Sequence, residues 1–475
     1  MHPKHKKHLL SIAALGSLTT LLLVSRSSTA ALNPYEAPYT TIQRSTHSES
    51  PYIRETGPAI HADTFSYRIA ERLQHRLRRR GNHIAPPVDQ LEQAVRQRQD
   101  LLTHHTDITF DSGDPKTKDQ WSVSFQRYPL WLGGVFTSTS AAFLIREDAI
   151  ARAIADENII HAKLPVDAVL KEVQWSTDEK RISRVVIDGI AKSGYVLNQD
   201  SAATKIADAL ASGTESLSVS LDTVPGKLIN ASGEELGSLS LLSTGRSDFK
   251  GSDNSRIANV KKALDEHVNN TITGPGQRYS FNSTLGGPVS QGNGWHMAKV
   301  IFNGGDLEYA PGGGICQTSS TVYRAALMAG LPVLERKAHS LYVSYYKKYG
   351  VGIDATIYPG SQDLVFVNDT QNPLIIQAYH EGTEAFVNVY GTPDGRIAEL
   401  SGPYFFSTAP EDVVAQVKGI ASNEIVWLHR VQYANGTVRS EEVSSRYKEL
   451  PKSLVTEYPA AETTLHASAA EGVTD

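Results

Sequence analysis

Three consecutive glycines at residues 312–314 precede the single cysteine of this chain, and they constrain its local fold strongly. Residues without a Cβ let the backbone approach its neighbours closely and adopt positive φ values. The apolar residues at 322–329 recur at helical spacing, and Gly330 and Pro332 end the pattern. Cys316 is therefore predicted at or just before a helix N-terminus. There the helix dipole and the free N–H groups favour a thiolate over a thiol.

The first 31 residues have a pattern that is typical of export. A lysine- and histidine-rich start at residues 1–8 precedes an uncharged, mostly apolar run at residues 9–24, and small residues up to Ala30 suit a cleavage site. The run is also near the lower length limit of a membrane-spanning helix. We therefore predict a signal peptide or an uncleaved anchor at residues 1–31. In either case the chain is expected to be exported to the cell envelope, and an anchor would hold it on the outer face of the cytoplasmic membrane.

Export strengthens a functional interpretation of Cys316. A single cysteine cannot form a disulfide within the chain, and an unpaired thiol outside the cytoplasm is prone to oxidation. The alternative is a buried cysteine that only fills apolar space.

The net charge is −5 and no basic stripe with interleaved aromatic residues occurs, so no nucleic-acid partner is predicted. No metal or other cofactor is predicted, because the histidines lack ligand-like spacing.

The length of 475 residues predicts two to three domains, and changes in composition place their boundaries. Helical and strand patterns both occur, which predicts an α+β fold of small modules behind a membrane anchor. We expect the following segments: the signal or anchor at residues 1–31, a linker and charged helix at 32–105, a binding or spacer module at 106–235, a main α+β domain at 236–400, an accessory β unit at 401–458, and a disordered tail at 459–475.

Periodicity predicts individual elements within these segments. Apolar residues at spacing four from Ile69 predict a helix whose arginine-rich opposite face is either solvated or touches anionic lipid. The patterns also predict a helix at residues 165–173 and a strand at residues 341–346. Asn435-Gly436 between two alternating segments predicts a β-hairpin.

Three further residues suit acyl transfer by a cysteine. The helix after Cys316 and a short connection can return His339 to the helix N-terminus, where it would accept the thiol proton; a hydrogen-bonded structural histidine is the alternative. Asp354 can orient the imidazole or cap the glycine-rich turn around it. Arg336 can bind a substrate carboxylate through two N–H groups, or it can pair with Glu335 at the surface.

Short motifs between residues 240 and 392 together resemble the VanW domain, over about a third of the chain. Residues 106–235 resemble, in pattern more than in motif, the peptidoglycan-binding domain that often precedes it. The VanW-like motifs are Arg256, Asn259, Pro275-Gly276, Phe281-Asn282, residues 312–317, Glu335-Arg336, His339-Ser340, Asp354-Ala355-Thr356 and Asn368.

The resemblance implies an envelope protein and, for members that keep the cysteine and the histidine, L,D-transpeptidase activity on peptidoglycan. Cys316 would attack the carbonyl of the third residue of a donor tetrapeptide and release D-Ala. A side-chain amine of a second stem would then resolve the thioester into a 3-3 cross-link. The alternatives are a non-catalytic wall-binding or glycopeptide-resistance accessory protein, and a cysteine endopeptidase that uses water as the acceptor.

The expected partners are therefore peptidoglycan stem peptides and, through the N-terminal segment, the membrane. The expected catalytic residues are Cys316, His339 and Asp354. The residues expected to contact the substrate are Gly313, Gly314, Gln317, Ser319, Arg336, Ser340 and Asn282.

Overall fold

The computed structural model describes residues 64–79, 85–112, 118–178, 181–302, 306–458 and 463–466. The predicted export segment at residues 1–31 lies outside these ranges, as does most of the predicted linker. The α-helices of the described ranges are α1 (Thr64–Arg79), α2 (Val88–Leu101), α3 (Glu147–Asp156), α4 (Gln199–Ser212), α5 (Asn254–Lys262), α6 (Phe281–Thr284), α7 (Ile315–Met328), α8 (Glu411–Gln416) and α9 (Ser453–Glu457). None of these helices has the length and apolar character needed to cross a membrane.

The strands complete the inventory of the described ranges. They are β1 (His105–Asp111), β2 (Lys118–Ser124), β3 (Leu132–Phe136), β4 (Ala141–Ile145), β5 (Ala168–Gln174), β6 (Ser183–Asp188), β7 (Gly194–Val196), β8 (Ser216–Ser220), β9 (Asp222–Val224), β10 (Leu228–Asn230), β11 (Ser240–Asp248), β12 (Thr271–Thr273), β13 (Arg278–Ser280), β14 (Met297–Phe302), β15 (Asp306–Pro311), β16 (Val333–Glu335), β17 (Val365–Val367), β18 (Leu374–Glu381), β19 (Glu384–Gly391), β20 (Ile397–Phe405), β21 (Glu424–Gln432), β22 (Val438–Arg446) and β23 (Thr463–His466). This mixture confirms the α+β class.

The described chain folds into two compact units. The first contains the described residues up to 109 together with residues 120–159 and 199–219. The second contains residues 110–119 and 160–198 and the described residues from 220 onward. The chain therefore passes between the units several times, and the units do not coincide with the segments predicted from composition.

The first unit contains the predicted basic helix. Leu73 and Leu77 of α1 pack against Leu91 of α2, and Ile69 is also buried. Arg72 lies on the opposite, exposed face of α1. The predicted helix is thus confirmed, and whether its exposed basic face is solvated or touches lipid stays a prediction. A three-stranded sheet of order β2-β1-β8 and the hairpin β3-β4 complete this unit, together with α3 and α4.

The second unit is built on a seven-stranded sheet of order β10-β5-β6-β12-β18-β19-β11. Helix α7 packs on the edge strand β11, and Gly245 permits this contact. A Cβ added at Gly245 would lie 2.1 Å from the carbonyl oxygen of Thr321. Ser243 Oγ also donates a hydrogen bond to the Ala325 carbonyl oxygen at 2.8 Å. These contacts fix the position of α7, whose first turn carries Cys316.

The predicted module boundary at residue 235 is not a boundary in the fold. Strands β5, β6 and β10 precede it, yet they belong to the same sheet as β12 and β18. Thr271 of β12 is paired with Arg184 of β6, so the two segments share backbone hydrogen bonds. Leu170 and Ile375 belong to one buried cluster across this junction. The segment at 106–235 is therefore not an independent domain in this structure.

We expect a chain that starts at residue 236 to be much less stable than the chain that starts at residue 64. The shorter chain lacks three strands of the sheet, and it exposes Ile272, Ile375 and Tyr390, each at most 1% exposed in the folded protein. Exposed apolar area costs about 25 cal/mol per Å². Thermal unfolding followed by circular dichroism, with binding of a hydrophobic dye, compares the two chains. Equal melting temperatures would show that the three strands are dispensable.

Two local predictions are wrong. Residues 165–173, predicted to be helical, contain β5, in which Ala168 and Leu170 are buried on one face at the spacing of a strand. Residues 341–346, predicted to be a strand, lead into the 3₁₀ helix Ser344–Tyr349. Its aromatic residues favour a strand locally, but Tyr346 is buried and its carbonyl oxygen accepts a hydrogen bond from Arg324.

The predicted accessory unit at 401–458 shares the core of the main domain. The hairpin β21-β22 forms as predicted around Asn435-Gly436, in a sheet of order β22-β21-β20-β23. Trp427 and Val443 of this sheet lie in the same buried cluster as Val322 of α7. β23 pairs with β20, so the predicted disorder of residues 459–475 does not hold at residues 463–466; the rest of that segment lies outside the described residues.

Candidate active site

Cys316 is the second residue of α7. Gly314, just before the helix, has a φ of 114°, a left-handed value that glycine adopts without strain. Gly313 passes so close to β14 that an added Cβ would lie 2.7 Å from the carbonyl carbon of Ala298. The glycines are thus required by the loop geometry itself. They place Cys316 in the first turn of the helix, where the dipole favours a negative charge.

Gln317 and Ser319, predicted to contact the substrate, are fully buried. Gln317 Nε2 donates to Ser247 Oγ at 3.3 Å, and its Oε1 accepts a hydrogen bond from Arg256 Nη2 at 3.0 Å. Ser319 Oγ donates to the carbonyl oxygen of Ala355 at 2.6 Å. Both side chains therefore attach α7 to its neighbours, which corrects the prediction. A motif alone does not distinguish a residue that supports a site from one that faces the substrate.

His339 and Asp354 meet beside the first turn of α7, and both are nearly fully buried. Asp354 Oδ2 accepts hydrogen bonds from the His339 ring at Nδ1 and from the His339 backbone N–H, the latter at 2.9 Å. The imidazole interacts with the Cys316 thiol, because each group shifts the pKa of the other; the thiol itself donates to the Ile357 carbonyl oxygen at 3.6 Å. Because Nδ1 faces Asp354, Nε2 is the ring nitrogen left for Cys316. The structure thus brings together the three residues that the sequence predicted as catalytic.

Arg336 supports Asp354 in this structure. Its Nε donates to the Asp354 carbonyl oxygen at 2.6 Å, and its Nη2 lies 3.4 Å from Asp354 Oδ1. Nη1 donates to the carbonyl oxygen of Ser444 at 2.6 Å, and Nη2 also donates to Ser445 Oγ at 2.5 Å. The structure thus directs Arg336 to protein acceptors, and its contact with a substrate carboxylate stays a prediction.

A second buried arginine, Arg324 of α7, holds the loop that leads to Asp354. Its Nε donates to the carbonyl oxygen of Ile353 at 2.9 Å, and its Nη2 donates to those of Tyr346 and Gly350 at 2.7 and 2.9 Å. Burial lowers its pKa to about 10, so the side chain stays charged at neutral pH. The helix that carries the cysteine is thus tied directly to the loop that carries the carboxylate.

The pKa shifts favour a charged triad. Burial raises the pKa of Cys316, but the hydrogen bond and the charge of His339 outweigh burial and lower the pKa below its ordinary value. Burial lowers the pKa of His339, while Tyr346 and Asp354 raise it to well above its ordinary value. Burial raises the pKa of Asp354, but the charges of His339 and Arg336 bring it to about 2. Each of the three shifts is in the direction that favours the charged form, which is the thiolate for Cys316, the imidazolium for His339 and the carboxylate for Asp354.

We expect iodoacetamide to alkylate Cys316 with a pH profile whose midpoint lies below that of a free thiol, about 8.5. The reason is that the thiolate is the reactive form and His339 stabilises it. The rate of alkylation is measured by mass spectrometry between pH 5 and pH 10, a range of about five units around that midpoint. His339→Ala should move the midpoint upward. A profile indistinguishable from that of a free thiol would contradict the charged triad.

Two backbone N–H groups at the start of α7 are already hydrogen-bonded. The N–H of Ile315 donates to the Gly312 carbonyl oxygen at 3.0 Å, and that of Gln317 donates to the Gly314 carbonyl oxygen at 2.9 Å. These two groups are therefore not available to stabilise an oxyanion formed at Cys316. A positively charged side chain near the thiol is an alternative source of that stabilisation.

The predicted substrate contacts of Asn282 and Ser340 stay predictions, as does the expectation that no metal is bound. Asn282 donates from Nδ2 to the Gln362 carbonyl oxygen at 2.8 Å and from its backbone N–H to Asp363 Oδ1 at 2.9 Å. The carbonyl oxygen of Ser340 accepts a hydrogen bond from the backbone N–H of Lys448 at 2.7 Å. Neither contact tests a substrate role. In the part of the chain that is described, no group of three or more His, Cys, Asp or Glu side chains is arranged to hold a metal ion.

Sequence analysis missed the role of Tyr447. Its hydroxyl donates to Asp354 Oδ1 at 2.9 Å, from a position far along the chain. A signal for it exists, because Val443, Ser445 and Tyr447 alternate as buried residues along and just after β22. A buried serine and tyrosine on the inner face of a predicted strand indicate polar contacts with the main domain.

Comparison with known proteins finds similarity over the part of the chain that holds this site. The family model described as "VanW like protein" matches residues 255–390. The uncharacterized protein YoaR of Bacillus subtilis (strain 168) is 34% identical over 173 residues, which cover 35% of this chain and 54% of YoaR. The chain thus spans about half the length of the curated relative that it matches. No solved structure matches the chain.

Proposed function

We propose that this chain, which matches the family model described as "VanW like protein" over residues 255–390, is a peptidoglycan L,D-transpeptidase. The observation that carries the proposal is the array of partly buried Cys316 with buried His339 and Asp354 at the start of α7. A thiolate next to an imidazolium, oriented by a carboxylate, is suited to acyl transfer through a thioester.

The first half of the proposed reaction forms the acyl-enzyme. The Cys316 thiolate attacks the carbonyl carbon of the third residue of a donor tetrapeptide, and a bond forms between Sγ and that carbon. The amide bond to the terminal D-Ala then breaks. The His339 imidazolium supplies the proton that the departing amine needs, and it becomes a neutral imidazole.

The second half transfers the acyl group to an acceptor. Neutral His339 takes a proton from a side-chain amine on a second stem as that amine attacks the thioester carbonyl. The bond from carbon to Sγ breaks, and Cys316 leaves as a thiolate. The products are a 3-3 cross-linked dimer and the original thiolate–imidazolium pair, so no oxidant, reductant or cofactor enters the balance.

The same proposal places the protein in the cell envelope. The lysine-rich start and apolar run at residues 1–31 support export, and peptidoglycan stems lie outside the cytoplasm. A single cysteine that forms no disulfide is consistent with use as a nucleophile. Fractionation of cells that express the full chain should recover the protein in the envelope fraction. Recovery in the cytoplasm would contradict this part of the proposal.

The test of the activity is incubation of the exported portion of the chain with purified muropeptides, followed by mass spectrometry. Dimers that lack one D-Ala are expected, and the Cys316→Ala protein should form none. Stems shortened by D-Ala without dimers would indicate water as the acceptor, and the protein would then be a hydrolase. No change of the muropeptides, with both proteins folded, would favour a non-catalytic wall-binding role.

A further inference from the structure

Arg256 of α5 lies against the N-terminus of α7. Gly314 leaves room for it, because a Cβ added there would lie 3.0 Å from Arg256 Cγ. The guanidinium lies over the ring of Tyr345 at 5.0 Å from the ring centroid, and its Nη2 donates to Gln317 Oε1 at 3.0 Å. These contacts fix a half-buried cation beside the turn that carries Cys316.

The charge of Arg256 is not balanced by a carboxylate. Among the described residues none forms an ion pair with it, and its buried Nε has no hydrogen-bond partner there. Arg336 contacts Asp354, and Arg396 pairs with Asp394. Arg184 and Arg324 also lack a carboxylate partner within the described ranges, but each donates to several backbone carbonyl oxygens. Partly buried cations usually have an anionic partner. An arginine whose N–H groups are not all hydrogen-bonded and whose charge is unpaired therefore indicates a binding site for an anion.

The position of this cation matches the position of an anion on the substrate. Arg256 contacts Gln317, the residue after Cys316, and lies against Gly314, two residues before it; its positive charge also lowers the pKa of the Cys316 thiol. In a donor stem, the carboxylate carbon of the leaving residue is about 2.5 Å from the nitrogen of the bond that breaks. An arginine beside the nucleophile can reach that carboxylate with two N–H groups at once.

We infer that Arg256 binds the free carboxylate of the residue that the enzyme releases, and that it thereby selects donor stems that end one residue after the attacked carbonyl. The inference rests on the proposed transpeptidase function. A stem with one more residue moves the carboxylate about 3.5 Å further from the thiol. A stem that ends in a carboxamide lacks the charge altogether. Both should be poor donors.

The test uses the exported chain and two synthetic donors, a tetrapeptide stem with a terminal carboxylate and the same stem with a terminal carboxamide. The wild type should prefer the carboxylate donor in kcat/KM by about 10- to 100-fold, the range of a charge-assisted hydrogen bond. Arg256→Gln should bring the ratio of the two donors close to one, and Arg256→Lys should restore part of it. Arg278→Gln, which removes an exposed arginine of β13, is the matched control.

A binding experiment separates this inference from the proposed activity. Calorimetry on the Cys316→Ala protein should show tighter binding of the carboxylate stem, and adding Arg256→Gln should remove the difference. If the wild type makes no product but this binding difference holds, the transpeptidase proposal fails and the carboxylate site stands. If the wild type cross-links both donors equally well, the carboxylate site is wrong. Arg256→Gln could instead lower kcat/KM equally for both donors and raise the pH midpoint of Cys316 alkylation. That result would also overturn the inference, because Arg256 would then act only by stabilising the thiolate.

Discussion

Replacing His339 with alanine is expected to lower the rate of cross-link formation by about 10²–10⁴-fold, the usual contribution of a general acid–base group. The variant loses the cation that stabilises the Cys316 thiolate and the proton that the leaving amine needs. The rate of dimer formation from muropeptides measures the effect. His380→Ala is a suitable control, because His380 is in the same unit on β18 and is not in the triad.

The variant must be folded for this result to count, since unfolding also abolishes activity. Near-ultraviolet circular dichroism of His339→Ala and of the wild type answers that question. A folded His339→Ala protein that keeps nearly full activity, while Cys316→Ala is inactive, would place the acid–base group elsewhere. An active Cys316→Ala protein would remove the thioester mechanism.

Replacing Asp354 with asparagine is expected to destabilise the fold by about 3–5 kcal/mol, the usual cost of breaking a buried ion pair from one side. The carboxylate is 1% exposed, and it balances the charges of His339 and Arg336. The neutral amide leaves Arg336 with only uncharged acceptors and leaves the Cys316 thiol as the remaining charge partner of His339. Urea unfolding at neutral pH measures the change. Tyr447→Phe, which removes one hydrogen bond to the same carboxylate, should cost only about 1 kcal/mol.

The effect of Asp354→Asn should depend on pH in a defined direction. The pKa of Asp354 is about 2 in the folded chain, below its ordinary 3.8. A lowered folded-state pKa means that the stabilisation is present above the ordinary value and is lost as the pH falls through the folded value. The wild type and the variant should therefore converge in stability between those two pKa values. A difference that stays constant on acidification would show that the carboxylate charge is not the source of the stability.

The local parts of the site could be predicted from sequence, because their signals lie close together in the chain. The glycines before Cys316 and the apolar stripe after it predict the helix start, and the structure places Cys316 there. His339 and Asp354 stand in short motifs, and they do meet at that helix. The burial of individual side chains could not be predicted from the same motifs. Ser319 was therefore expected to face the substrate, whereas its hydroxyl donates a hydrogen bond to the Ala355 carbonyl oxygen.

The parts of the fold and of the site that were not predicted depend on pairing between distant segments. Composition and periodicity do not encode that pairing. The segment around Leu170 has apolar residues that fit a helix or a strand. It forms a strand because it pairs with β6 in the sheet. Arg336 was expected to bind an anion of the substrate. Its acceptors Ser444 and Ser445 come from a hairpin whose turn was predicted correctly, while its contact with Arg336 was not predicted.

The contacts of β22 and Tyr447 with the site also determine when the thiol can become reactive during synthesis. A growing chain that has reached only β20 contains Cys316 and Asp354, but it lacks the strand that holds Arg336 and the hydroxyl that binds Asp354. In such a chain the carboxylate behind His339 is not yet held in place. If the proposed activity is correct, a product cut short before the last hairpin is expected to be inactive.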